Sequence, residues 1–137
     1  MTEDDKQLAA AYFPAFRDRN EAWWQRHIAP EFVRHDPNLD FEVRGLEGGR
    51  KLGEVMHGGF SEVGFDIGDV VGERDKVLVR LKMRGRHTGT FMGNAPTNKW
   101  INIDVMDFFR VADGCLVEHW ALMDNLSLLQ QIGAVKR

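Results

Sequence analysis

Between residues 99 and 124 the chain reads KWINIDVMDFFRVADGCLVEHWALMD, two alternating runs separated by Ala-Asp-Gly. A period of two is what a strand with one buried face requires, and Asp-Gly between two such runs marks a hairpin. In the first arm Ile101, Ile103, Val105, Asp107, Phe109 and Val111 share one face, opposite Trp100, Asn102, Asp104, Met106, Phe108 and Arg110. In the return arm Cys115, Val117, His119 and Ala121 alternate with Leu116, Glu118, Trp120 and Leu122. Asp107 and His119 therefore fall in rows that are otherwise small or apolar. That is the pattern of a pocket wall rather than of a plain core.

The register decides whether the two groups meet. A three-residue loop of Ala112, Asp113 and Gly114, with Gly114 in the left-handed conformation, sets Asp107 opposite His119. A two-residue Asp-Gly turn sets Asp107 against Trp120 and Phe109 against Glu118, which mixes polar and apolar partners on one face. The three-residue loop is the expectation. A carboxylate beside an imidazole favours the charged ring, fixes its tautomer and can move protons near neutral pH. A buried structural ion pair would leave the same pattern in the sequence.

Upstream of the hairpin the periodicity changes. Leu8, Ala11, Tyr12, Ala15 and Phe16 recur at helical spacing over about 4–19, and Asn20 can end that helix while opening a second one containing Trp23, Trp24 and His27. This second helix must stop near Pro30. Residues 31–40 follow as a short strand or loop containing His35, and 45–59 as a glycine-broken helix. Strands are expected near 64–73, 75–91, 99–111 and 115–123, then a short segment over 124–132 closed by Gly133. Helices first and an antiparallel sheet after them predict an α+β domain with the helices packed on one face of a curved sheet. At 137 residues the chain has the length of one domain, 1–137.

Several other residues are candidates for the same cavity. Val105 and Phe109 flank Asp107 in its row, and Ala121 follows His119 in its own. His87 continues the inward row of Val77, Val79, Leu81, Met83 and Gly85, next to Gly89, where another backbone or a ligand could approach closely. Register places His87 nearer Ile101 or Ile103 than Asp107, so a triad with His119 is not expected. Tyr12 lies on the apolar side of the first helix, with a hydroxyl able to donate to a substrate oxygen or to a protein partner. His35 has the same two readings. Trp100, Met106 and Phe108 lie on the opposite face of the sheet, where a second copy could cover them, so a homodimer through the outer face is expected.

The composition excludes other classes. A formal net charge of -3 gives no basic excess for nucleic acid. Arg80, Lys82, Arg84 and Arg86 alternate with a buried row and read as a solvent face paired with acids on neighbouring strands. The five histidines show no metal-ligand spacing, and the glycines of 45–59 match no phosphate-binding loop, so neither a metal nor a cofactor is expected. The charged start and the lack of a long apolar run predict neither a signal peptide nor a membrane span. The single Cys115 fits a reducing cytoplasm.

HTGTFMGNAPTNK at 87–99, DFFRVADGCLVEHW at 107–120 and LSLLQQIGA at 126–134 together resemble the SnoaL-like polyketide cyclases of the nuclear-transport-factor-2-like superfamily. The resemblance spans nearly the whole chain. It implies a cone-shaped half-barrel, a strongly curved antiparallel sheet with the N-terminal helices packed on its concave face. It also implies a general acid/base carboxyl two positions after the motif histidine, where this chain has Ala121, and often a histidine where it has Asp107. A carboxylate moved one strand across, from 121 to 107, would reconcile the two patterns. In related cone-fold enzymes a tyrosine on the first helix often meets the substrate oxygen, the role implied for Tyr12.

Two functions follow. One is a cofactor-free enzyme on a small apolar carbonyl compound, performing aldol-type cyclisation, isomerisation or a related proton transfer with His119 and Asp107. The other is a non-catalytic binding or accessory protein using the same cavity, which Ala121 favours.

Overall fold

The computed structural model describes residues 2–136. Helix α1 (Thr2–Arg17) buries Ala9, Tyr12, Phe13, Ala15 and Phe16, so its inner face is turned slightly from the expected one, and Leu8 and Ala11 are half-buried. The chain leaves α1 through Arg19 in the left-handed region, with the Asn20 N–H bonded to the Ala15 carbonyl at 2.9 Å. Asn20 then caps α2 (Glu21–His27), its side-chain oxygen accepting from the Trp23 N–H at 3.1 Å. One asparagine thus ends one helix and starts the next, as its position suggests.

Strand β1 (Ile28–His35) begins before Pro30 rather than after it. Pro30 falls where the pairing with the neighbouring strand is interrupted, between Ile28 and Val33, so its missing N–H breaks no ladder bond there. The two-residue β2 (Val43–Arg44) leads into α3 (Gly45–Gly59), which has the bounds the glycines suggest. Strands β3 (Phe60–Glu73), β4 (Lys76–His87), β5 (Trp100–Ala112) and β6 (Cys115–Met123) form an antiparallel meander, and α4 (Asn125–Gln131) follows, capped by Asp124. The strand expected over 75–91 stops at His87 because the chain turns at Gly89 to receive the end of α3. Thr88 and Gly89 both donate to the Gly59 carbonyl, and a side chain at Gly89 would collide with the Gly58 oxygen.

The sheet is ordered β2-β1-β6-β5-β4-β3. All its pairs are antiparallel except β1 with β6, which is parallel and joins the two ends of the fold. Irregularities at 61–64 and 67–69 of β3 and at Val117 of β6 bend the strands, and the sheet curves without closing into a cone whose hollow holds the helices. The inner face carries Val77, Val79, Leu81, Met83, Ile101, Ile103, Val105, Phe109 and Val111, all buried. Among the described residues the fully buried polar ones, His87, Asp107 and His119, share it. On the outer face the basic row is paired, Arg80 with Asp69, Lys82 with Asp104 and Arg84 with Asp66, while Arg86 lies over the Trp100 ring.

The hairpin corrects the expected register. The turn is two residues, Asp113 and Gly114, both at positive φ, and Ala112 pairs with Cys115. A bulge at Val117 then adds a residue to β6, so Phe109 faces His119 and Asp107 faces Ala121. The expected pairing of Asp107 with His119 is displaced by two residues. From His119 onward the two-residue displacement leaves each side chain on its predicted face, so both groups still point inward. Before the bulge the faces are exchanged: Leu116, expected outward, pairs with inward Val111, and Cys115, expected inward, pairs with outward Ala112.

Candidate active site

The buried row of β5 and the helices line a cavity that is partly open to solvent. Its walls are mostly apolar: Phe13 and Phe16 from α1, Leu52 and Met56 from α3, Phe65, Met83 and Val105 from the sheet, and Phe91 and Met92 from the loop after β4. Tyr12, Arg34, Asp36, Asn38, Asp107 and Asn125 supply its polar wall. A mostly apolar pocket with a few convergent polar groups suits a small organic ligand.

Of the residues singled out from sequence, Tyr12, Val105 and Asp107 line this cavity. His119 lies directly behind them with no exposed surface. Its ring stacks on Phe109 at 4.0 Å and meets the edge of Tyr12 at 5.2 Å. The Nε2 atom of His119 lies 3.1 Å from Oδ2 of Asp107, a diagonal contact across the ladder. The direction is poor for a hydrogen bond, so the contact is close but not aligned. Asp107 Oδ1 and both ring nitrogens of His119 have no aligned partner among the described residues.

Burial pushes the His119 pKa below its ordinary value, against the opposing pull of Asp107. The charged ring expected from the Asp107 contact is therefore corrected: desolvation outweighs the pairing, and the imidazole is neutral at neutral pH. Burial likewise raises the Tyr12 hydroxyl, with Arg34 opposing the rise, so Tyr12 stays protonated.

The remaining candidates stand elsewhere. Phe109 and Ala121 are buried beside His119, behind the wall. His87 is buried further along, where its Nδ1 is 3.0 Å from the Thr97 hydroxyl and accepts from the Thr97 N–H, pinning the loop after β4. His35 points to the outer face, paired with Glu118 at 2.7 Å and stacked on Trp120. It does not reach the cavity.

Sequence reasoning passed over the neighbours of His35. Along β1 the alternation places Phe32 and Arg34 inward and His35 outward, and Arg34 is the direct partner of His119 across the β1–β6 seam. The Arg34 guanidinium donates through Nε and Nη2 to Oδ2 of Asp36, at 3.1 and 2.8 Å, and through Nη1 to the Tyr12 hydroxyl at 3.2 Å. Burial works against the Arg34 charge, but Tyr12, Asp107 and Asp36 outweigh it and raise its pKa above the ordinary guanidinium value. The signal for these residues was present: Phe32, an apolar residue two positions before Arg34, fixes which side of the strand faces in.

Among the described residues no three His, Cys, Asp or Glu side chains gather as a metal-binding group. No helix there is long and apolar enough to cross a membrane.

A sequence profile for the SnoaL-like polyketide cyclases matches residues 6–132. The chain belongs to this family. Solved structures similar to this SnoaL-like chain include IdmH, a proposed polyketide cyclase from Streptomyces antibioticus, at 28% identity and TM-score 0.81 over 94% of this chain and 98% of that one. TsrD from Streptomyces laurentii matches at 26% identity and TM-score 0.84 over 97% of each chain. AclR, a proposed hydroxylase from Streptomyces galilaeus, matches at 25% identity and TM-score 0.85 over 100% of this chain and 85% of that one. No curated protein matches significantly. The SnoaL-like assignment and these neighbours agree with the cone that the family resemblance implies.

Proposed function

We propose that the chain is a general acid/base enzyme acting on a small apolar carbonyl compound, by polyketide-cyclase-like aldol cyclisation, isomerisation or a related proton transfer. The observation that carries this reading is Asp107, a carboxylate on the cavity wall with Oδ1 unengaged by protein. In the proposed step Asp107 takes a proton from the carbon beside the substrate carbonyl, leaving an enolate. Tyr12 donates to the enolate oxygen, and the proton returns from Asp107 to carbon. Neutral His119 sits behind the carboxylate and holds its position. The protein groups alone move the proton, with no cofactor invoked, and Cys115 as a free thiol fits a cytoplasmic setting.

The test uses 2-tetralone, a bicyclic ketone with acidic methylene protons beside its carbonyl. Deuterium exchange at those protons in heavy water, followed by proton NMR, is accelerated by the native chain and lost in Asp107→Asn and in His119→Ala. Exchange that survives both substitutions removes the assignment.

One observation favours a second reading. Ala121 stands where the family resemblance implies the acid, so a non-catalytic binding or accessory protein would hold its ligand in the same cavity. Binding of 2-tetralone without accelerated exchange supports that reading over the first.

We also propose a homodimer through the outer face. Trp100, Met106 and Phe108 are exposed there by 52%, 46% and 37%, and Leu122, the cross-strand partner of Met106, by 60%. A patch of this kind on a sheet fits a second copy.

A further inference from the structure

We propose that Arg34 is a positioning residue that acts through Tyr12: held by Asp36, it occupies the phenol oxygen as an acceptor and so turns the Tyr12 O–H toward the ligand. This rests on the reading of the cavity as a site for a carbonyl compound.

The geometry is a chain of donors. The Asn38 backbone N–H donates to Oδ1 of Asp36 at 3.0 Å, which fixes the carboxylate. Both Nε and Nη2 of Arg34 donate to Oδ2 of the same carboxylate, so the fork is held on one side and only Nη1 reaches Tyr12. The side chains of Arg34 and Asp36 are 13% and 5% exposed, so the pair is shielded from water and its geometry is retained. Three of the five Arg34 N–H donors are thus engaged within the protein, one each on Nε, Nη1 and Nη2.

The Tyr12 oxygen accepts from Nη1, and among the described residues its own hydrogen has no acceptor. The ring is packed on all sides, by Phe13 at 5.3 Å, Phe109 at 5.5 Å and His119 at 5.2 Å, so the phenol cannot swing away. The only acceptor left is one that enters the cavity, which Tyr12 lines. A hydroxyl that accepts from a cation is polarised and becomes a stronger donor. The same cation explains why Arg34 opposes the rise that burial imposes on Tyr12. Lysine could not substitute, because one ammonium lacks the planar fork that holds Asp36 on one side and Tyr12 on the other.

Tyr12 is the only tyrosine in the chain, so a tyrosine ring-carbon label at Cζ gives a single carbon-13 NMR line. The main variant is Arg34→Met/Asp36→Asn, which removes both charges and strands neither. Arg34→Lys keeps the charge and loses the fork. In the native chain, added 2-tetralone moves the Tyr12 line. In both variants the ligand-free line shifts, and 2-tetralone affinity falls roughly tenfold, the size of one charge-assisted hydrogen bond. In a Tyr12→Phe background the same Arg34 and Asp36 changes cost nothing more, because the path through the hydroxyl is already gone.

An unmoved line in the double variant overturns the proposal, as does additive loss on top of Tyr12→Phe. A Tyr12 line in the native chain that ignores 2-tetralone overturns it as well. The acid/base reading fails separately, by deuterium exchange that persists without Asp107. An Arg34→Lys chain with native affinity shows that charge alone suffices and removes the positioning role.

Discussion

Asp107 and Ala121 are direct partners across the β5–β6 ladder. A carboxylate at either position therefore springs from the same rung of the sheet, on the same inner face. The resemblance implies an acid on β6 at position 121, and this chain has a carboxylate on β5 at the other end of the same rung.

That relationship predicts the outcome of moving the carboxylate to β6. Asp107→Ala lowers 2-tetralone exchange by about a hundredfold or more, the usual weight of a positioned general base. Adding Ala121→Asp to that variant recovers part of the rate, and proton NMR in heavy water measures both.

Stability depends on pH through His119. Its folded pKa lies below its ordinary value because the ring is buried, so the folded chain binds fewer protons there than the unfolded one. The contribution is complete above about pH 6.5, the unfolded value, and is lost as the pH falls from there toward the depressed folded value. Urea unfolding at pH 7.5 and 5.5 should show a larger loss in the native chain than in His119→Gln.

Two adjacent glycines of α3 should respond with opposite sign. A methyl at Gly48 would lie 2.8 Å from the Val43 backbone, which cannot yield without moving β2, whereas nothing lies within 4 Å of the corresponding position at Gly49. Gly49→Ala gains helix propensity of about 0.5–1 kcal/mol. Gly48→Ala loses about 1–3 kcal/mol to overpacking. Urea midpoints decide both.

The proposed dimer is tested at its most exposed apolar side chain. Leu122→Lys places a charge in the outer patch beside Met106 and should yield monomers at concentrations where the native chain is dimeric. Sedimentation equilibrium measures the shift, and a native chain that is monomeric at all concentrations removes the proposal.

The inward placement of Asp107 and His119 was legible because strand periodicity survives an error of two residues. Their pairing was not, because the bulge at Val117 leaves no mark in the alternation: Leu116 and Val117 are both apolar and both buried. The neutral state of His119 was hidden for a different reason. A neighbouring acid can be read from spacing, but the depth of burial that outweighs it depends on α1 and β1 closing over the ring. Arg34 and Asp36 were missed at a distance of one residue from His35. There the residue with the familiar chemistry faces outward, and only the side of the strand taken by Phe32 shows it.

The parallel seam between β1 and β6 carries a consequence for how the molecule is made. His35 and Glu118, bonded across it, are 83 positions apart, whereas β3 through β6 are joined by successive hairpins. Contacts so distant in sequence form slowly, after local ones have reduced the loop to be closed. A chain emerging from the ribosome can pair β1 with the short β2, but must wait for β6 before β1 and β2 can dock on the rest of the sheet. Arg34 meets His119 only at that docking, so the polar wall of the cavity is completed at the end of folding, and an unfinished chain has no working site to expose.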